Sequence, residues 1–429
     1  MKYDIIGIGI GPFNLSLAAL LEEHNLKTIF FDKAPRFEWH SGLMIDRTTL
    51  QVPFLADLVT IVNPKSPFTY INYLREKGKI FRFCFKESFY VTRMEYNLYC
   101  KWVASQIESL NFSHTVTEID YNEIHECYEV SVIDLINCEK KVYLTDKIVL
   151  GVGSIPNVPK VTERFSKEHI FHSSEYLHRK QYLKKGSTIT VLGSGQSGGE
   201  VFFDLLSSRP DLDLKLNWVT AADRFFPMEN SKFTYEFTSM DYISYFNKLP
   251  LSKRREVINK QDILYKGIND ELISTIYDEL YHQQMKEEQP LPVKILTSSL
   301  LEDMEYDENY TLKMRHLEEE KTFSVDTDYL ILATGYKYEV PHFLQPIEDR
   351  LNKSQNDGTL LSSENYTVDV NDSEIFMQNG CVDSQGIITS DLGMGPYRNA
   401  TIINKILGHE YYPLEKNIAF QHFGALETI

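Results

Sequence analysis

The chain has 429 residues, 42% of them hydrophobic and 24% charged, and a formal net charge of −17 at pH 7. That length can bury large cores in two or three domains, and so acidic a balance argues against a nucleic-acid partner, which needs a basic surface. Five scattered cysteines without a C-x-x-C pair argue against a redox dithiol or a zinc site with paired ligands, and fit a reducing cytoplasm.

In chain order, Tyr3 to Ile8 reads as a buried parallel strand and Pro12 to Glu23 as a helix, joined by Gly7-Ile8-Gly9-Ile10-Gly11-Pro12. Pro12 suits a first helical position, where its missing N–H is not needed. Asp4 in front and Gly11-Pro12 and Asn14 within separate this apolar stretch from a secretory leader, and no run is long enough to span a bilayer. A second strand, Lys27 to Phe31, closes on Asp32, where a βαβ unit keeps its ribose-binding carboxylate. Arg36 to Arg93 is an irregular excursion, Glu95 to Leu110 a helix, and Phe112 to Leu150 a meander ending in a buried strand, Lys147 to Gly151. After a sharp crossover at Gly151 to Pro156 comes a second unit: strand Thr188 to Leu192, turn Gly193-Ser194-Gly195-Gln196-Ser197-Gly198, helix Ser197 to Ser207, strand Leu214 to Thr220. Phe225 to Gln289 is mostly helical, Thr327 to Ala333 is a strand ending in Ala333-Thr334-Gly335-Tyr336, and Asn399 to Leu407 is a helix.

Each glycine turn lies between a strand and a helix, where backbone N–H groups and the helix N-terminus face a pyrophosphate. One such turn is a weak signal, and the first has Pro12 in place of its third glycine. Two in one chain point to two dinucleotides, a flavin beside a nicotinamide, and so to a redox enzyme. The predicted architecture is α/β, with two dinucleotide-binding Rossmann-like domains and a small helical substrate-binding region. Residues 1–160 and 326–429 form a discontinuous FAD domain, and residues 161–325 form an NADPH domain that includes the helical stretch 225–290.

Gly7 to Leu15, Phe37-Glu38-Trp39-His40-Ser41-Gly42, Leu50-Gln51-Val52-Pro53-Phe54-Leu55, Asp57-Leu58, Pro67-Phe68, Asn72-Tyr73-Leu74 and His172-Ser173-Ser174-Glu175-Tyr176 together resemble the flavin-dependent N-hydroxylating monooxygenases. These are the lysine, ornithine and diamine N-hydroxylases of siderophore biosynthesis, and Trp39 to Leu74 is the most specific part of the likeness. The resemblance implies FAD contact from Gly7, Gly9, Gly11, Pro12, Asn14, Asp32, Lys33, Trp39, His40, Gln51, Val116, Ser390, Asp391 and Leu392. It implies NADPH contact from Gly193, Ser194, Gly195, Gln196 and Ser197. Family members end the next strand on an Arg that meets the 2′-phosphate; here that position is Ala221, and Arg224 is either its substitute or an ordinary surface residue, which leaves NADH open beside NADPH. The flavin C4a position is expected to carry the oxygen chemistry, so no side chain is given a catalytic role and no metal is expected.

In the lysine- and ornithine-hydroxylating members, a Lys in the Phe-Leu-x-Asp-Leu segment pairs with the substrate's α-carboxylate; here that position is Ala56. The assisting Asn aligns with Tyr235, beside Glu236, and a substrate-side Ser aligns with Gly393. A carboxylate buried without partners loses several kcal/mol on desolvation. The implied substrate is therefore a primary amine without an α-carboxylate (putrescine, cadaverine, or an aromatic amine such as histamine), with O₂ as cosubstrate. The alternatives are an L-lysine N6-monooxygenase that grips its carboxylate by other residues, and a non-catalytic dinucleotide-binding protein. The attacking nitrogen must be neutral; a lysine-like amine is neutral about one time in a thousand near pH 7.5, a deficit of about 4 kcal/mol that a dry site offsets. A homo-oligomer is compatible with these features.

Overall fold

The structure is a computed structural model describing residues 2–426; Met1 and residues 427–429, the extremes of the outer domain range, lie outside the described residues. Strand β1 (Lys2–Ile8), helix α1 (Pro12–Leu21) and strand β2 (Thr28–Phe31) form the first unit, with β1 and β2 parallel and Ile8 opposite Phe31. The following excursion is more regular than its sequence suggests. Strands β3 (Thr49–Pro53) and β4 (Tyr90–Thr92) pair antiparallel around helices α2 (Tyr70–Glu76) and α3 (Ile80–Lys86).

Helix α4 (Arg93–Ala104) opens on a capping box, in which Thr92 accepts from the Glu95 N–H and Glu95 from the Thr92 N–H. It stops short of the expected Leu110 because β5 (Leu110–Asn111) pairs with β2. The meander is β6 (His114–Asn122), β7 (Cys127–Asp134) and β8 (Lys140–Leu150). The first half of β8 pairs antiparallel with β7 and the second half parallel with β1, which welds meander and βαβ unit into one sheet of order β5-β2-β1-β8-β7-β6.

Strand β9 (Ile155–Pro156) leads out to β10 (Ile170–His172), the short helix α5 (Tyr176–Arg179), β11 (Thr188–Leu192), helix α6 (Gln196–Leu212) and β12 (Lys215–Val219). Helix α6 outruns its expected end at Ser207 and passes through Pro210. A proline offers no N–H to the carbonyl four residues earlier; here the Gln283 side chain supplies the donor, Nε2 to the Leu206 carbonyl at 2.8 Å. Helices α7 (Lys232–Tyr235), α8 (Met240–Lys248), α9 (Leu251–Lys260) and α10 (Asp270–Gln284) make the helical region. Strand β13 (Val293–Leu296) returns to the second sheet. The antiparallel layer of β14 (Ser299–Asp307), β15 (Asn309–His316) and β16 (Lys321–Thr327) then covers one face of that sheet, with Met304, Leu312 and Met314 packed on Leu192, Val219 and Leu330.

Strand β17 (Tyr329–Leu332) pairs parallel with both β10 and β11, so the second sheet reads β10-β17-β11-β12-β13. This moves the expected boundary at residue 326: the buried run Tyr329–Leu332 is central to the second sheet. The chain crosses back at β18 (Tyr336–Lys337), which pairs antiparallel with β9, so the outgoing and returning crossovers are stitched to each other. Strand β19 (Ile375–Met377) rejoins the first sheet beside β8, and helices α11 (Val382–Gln385) and α12 (Gly395–Leu407) follow, Ile402 and Ile403 of α12 sharing one core with Leu15, Leu17 and Tyr99. Among the described residues, no helix is long and apolar enough to cross a membrane.

Candidate active site

The three glycines of the first turn serve different ends. A Cβ at Gly7 would stand 2.0 Å from the Phe30 ring, and one at Gly9, which has φ +86°, would stand 2.4 Å from the Gly151 carbonyl oxygen; these two let the backbones pack. A Cβ at Gly11 would meet nothing within 4 Å, so this glycine opens on free space at the N-terminus of α1, where Pro12 is buried as the first helical residue. Asn14, expected at the cofactor, is instead fully buried beneath the turn. Its Nδ2 donates to the Gly9 carbonyl at 2.8 Å, and its Oδ1 accepts from Gln378 at 3.1 Å. Asp32 closes β2 beside the turn, accepting from Ile10 N–H at 2.6 Å and Ala34 N–H at 2.7 Å, with Lys33 exposed next to it. His114 N–H bonds the Asp32 carbonyl at 2.8 Å, which brings the start of β6, with Val116, to the same end of the sheet.

The Trp39–Gly42 block packs between α4 and the returning crossover. The Trp39 ring lies 4.7 Å from that of His40 and 5.2 Å from that of Tyr96, and the Trp39 backbone N–H donates to Asn97 Oδ1 at 3.1 Å. His40 adopts a left-handed backbone, φ 50°. The surrounding protein, and then the Arg93 guanidinium, lower its pKa to about 4, so it is a neutral imidazole at neutral pH. On β3, Gln51 presents a buried Nε2 with no hydrogen-bond partner. An unpaired buried amide is costly, and a flavin carbonyl or ring nitrogen is a fitting acceptor. Open space at Gly11, the unpaired Gln51 donor and the carboxylate at the end of β2 fit a bound FAD.

The second turn repeats this logic. Gly193 (φ +127°) would place a Cβ 2.1 Å from the Ala333 carbonyl oxygen, and Gly198 one 2.3 Å from the Gly193 carbonyl oxygen, whereas Gly195 has only the Lys266 carbonyl at 3.5 Å. The Ser194 hydroxyl accepts from Thr220 at 2.8 Å, and Ser197 is half-buried in the first turn of α6. Gln196 spends its amide on the protein, Nε2 to Glu200 at 2.9 Å and Oε1 from Asn269 N–H at 2.8 Å. Arg224 is exposed past the end of β12 and pairs with Asp223 at 2.7 Å.

Two expected amine-site residues, Ala56 and Gly393, lie side by side, with Tyr235 close enough to feel the charge of Asp391. Ala56 is buried, and a Cβ on Gly393 would lie 3.6 Å from its Cβ and 3.2 Å from Asp391 Oδ1. Tyr235, on α7, has its phenol pKa raised by burial and then by the neighbouring Tyr90 and Asp391. Glu236 is drawn elsewhere: its carboxylate accepts from Phe420 N–H at 2.9 Å and Gln421 N–H at 3.0 Å and anchors the C-terminal segment. Ser390 is exposed and Leu392 packs on the first core, but Asp391 faces Gly393. Burial raises the Asp391 pKa against the pull of the Gly393 N–H, at 2.7 Å, and of the Arg398 charge. Arg398 is itself turned to the carbonyls of Gln378, Ile388 and Thr389. Asp391, expected at the flavin, and Ala56, expected at the amine, thus both border Gly393, a juxtaposition visible only in three dimensions.

The family model for L-lysine 6-monooxygenase/L-ornithine 5-monooxygenase matches residues 1–338. The chain is 44% identical over 424 residues to a putrescine N-hydroxylase of Acinetobacter baumannii, covering 98% of this chain and 93% of that protein. It is 31% identical over 416 residues to an L-lysine N6-monooxygenase of Escherichia coli, 96% of each. Among solved structures, the FAD-bound cadaverine monooxygenase of the desferrioxamine pathway from Erwinia amylovora matches with a TM-score of 0.97 at 40% identity, over 100% of both chains. The matched residues span both glycine turns, Ala56 and every strand of the second sheet, and the chain belongs to the L-lysine 6-monooxygenase/L-ornithine 5-monooxygenase family.

Proposed function

We propose that this protein is an FAD- and NADPH-dependent N-hydroxylase of an aliphatic diamine, putrescine or cadaverine, serving siderophore biosynthesis. The observation that carries the reading is that Ala56 and Asp391 both border Gly393. Where lysine- and ornithine-hydroxylating relatives set a cation for the substrate's carboxylate, this crevice has a methyl group beside a carboxylate. A carboxylate on the substrate would meet like charge there, whereas the second ammonium of a diamine meets an anion.

With O₂ and NADPH, bound FAD supplies the oxygen-transfer chemistry: one oxygen atom ends on nitrogen as the hydroxylamine, the other leaves as water, and NADPH gives the two electrons. The protein's part is binding and orientation. FAD is assigned to the first sheet, with Gly11, Asp32 and Gln51 holding it, and NADPH to the second, with Gly195 and Ser194 at its pyrophosphate and Arg224 as the guanidinium in reach of the 2′-phosphate. Asp391 grips the distal ammonium and holds the diamine lengthwise, with Tyr235 and Tyr90 as the wall. The reacting nitrogen then lies away from Asp391, whose charge would otherwise favour its protonated form. All five cysteines are free thiols, which supports a cytoplasmic location.

The test is a hydroxylamine assay with NADPH over putrescine, cadaverine, histamine, lysine and ornithine. The diamines are expected to give product with the highest kcat/KM; lysine or ornithine as the preferred substrate, or no hydroxylamine from any amine, overturns the reading.

A further inference from the structure

A buried ion pair joins the two dinucleotide-binding parts. Arg93, the first residue of α4, directs Nη1 to Glu200 Oε2 at 2.7 Å and to the Leu43 carbonyl at 3.3 Å. The two side chains are 13% and 2% exposed. The other Glu200 oxygen accepts from Gln196 Nε2 at 2.9 Å, and Gln196 in turn accepts from the N–H of Asn269, the residue that caps α10. One carboxylate therefore ties three things together: the loop that follows the Trp39–Gly42 block, the second glycine turn, and the helical region.

Such a pair is a poor way to gain stability, since desolvating both charges offsets most of their attraction and a well-packed apolar pair does as well. What an ion pair adds is one fixed distance and direction. Arg93 also lies close enough to His40 and Tyr336 for its charge to act on both, so the pair is set between the flavin-side block and the returning crossover. We propose that Glu200 is a positioning residue for hydride transfer: through Arg93 and Gln196 it holds the nicotinamide-binding turn at the spacing from the flavin crevice that electron delivery needs. The inference does not depend on which amine is hydroxylated.

The experiment compares the FAD-loaded wild type with Glu200→Gln, Arg93→Gln and the double variant. Three readouts are taken: the anaerobic rate of flavin reduction by NADPH in stopped flow, the dissociation constant of FAD from fluorescence, and backbone hydrogen exchange over residues 40–43 and 193–200. Glu200→Gln keeps the shape of the side chain and removes its charge, and the double variant, which leaves neither charge unpaired, controls for the cost of an orphaned buried Arg93. Each single variant is expected to slow reduction by about 10- to 100-fold, the range of contacting pairs in mutant cycles. The double variant is expected to be no slower than the slower single, with FAD affinity within about twofold and exchange raised at both segments together, as for sites coupled through one pair. Reduction rates within twofold of wild type in both single variants overturn the proposal. So do losses that multiply in the double variant, or a rate that returns to wild type once FAD is saturating.

Discussion

A single methyl group carries much of the substrate argument. Ala56 leaves the position of a family lysine empty of charge, and Asp391 borders the same glycine, Gly393. Ala56→Lys should supply an internal ammonium to Asp391 and so compete with the substrate's own. We expect kcat/KM for putrescine to fall about 30-fold or more, as when a hydrogen-bonded charge partner is lost, with steady-state hydroxylamine formation as the measure; an unchanged value contradicts the geometry. Gln51→Leu removes the unpaired buried donor and should weaken FAD binding about tenfold, the worth of a hydrogen bond with a buried partner, read by fluorescence titration. At this scale the sequence revealed which residues gather but not which way each amide or carboxylate turns. Asn14, Gln196 and Glu236 all lie in the right segments and spend their polar atoms on the protein, because the carbonyl or N–H that claims each comes from a distant segment.

Among the elements, the strands of both βαβ units were legible because a continuous apolar run bounded by a glycine turn has few other solutions. Thr188 to Leu192 is the same strand in sequence and structure. Helix ends were less legible. Proline reads as a stop, and nothing near Pro210 reveals that Gln283, on α10, donates to the carbonyl it leaves free. The same side chain accepts from Arg209 Nε at 2.7 Å, so it closes both needs at once. Gln283→Leu should therefore destabilise the protein by about 1–3 kcal/mol through an unpaired buried carbonyl, seen as a lower thermal midpoint of the FAD-loaded protein. An unshifted midpoint would mean that water or a neighbour takes over the bond.

For the whole molecule, the second sheet lies within the sequence of the first, an arrangement the two glycine turns and the crossover at Gly151 to Pro156 pointed to. The position of the boundary was not legible. Strand β17 has the same apolar character as the strands of either sheet, and only its pairing with β10 and β11 assigns it. The excursion carrying the Trp39–Gly42 block and Ala56 is likewise irregular in pattern because its order comes from packing on α4 and α12 rather than from its own periodicity. On the proposed function, this assembly forms a crevice that reads the charge at the far end of its substrate. The direct test is kcat/KM for putrescine against 1-aminobutane, which lacks only the second amine, in wild type and in Asp391→Asn. Wild type should favour putrescine by about 100-fold and the variant should lose most of that preference, as expected when one partner of a desolvated charge pair is removed. A preference that survives unchanged in Asp391→Asn would contradict the account.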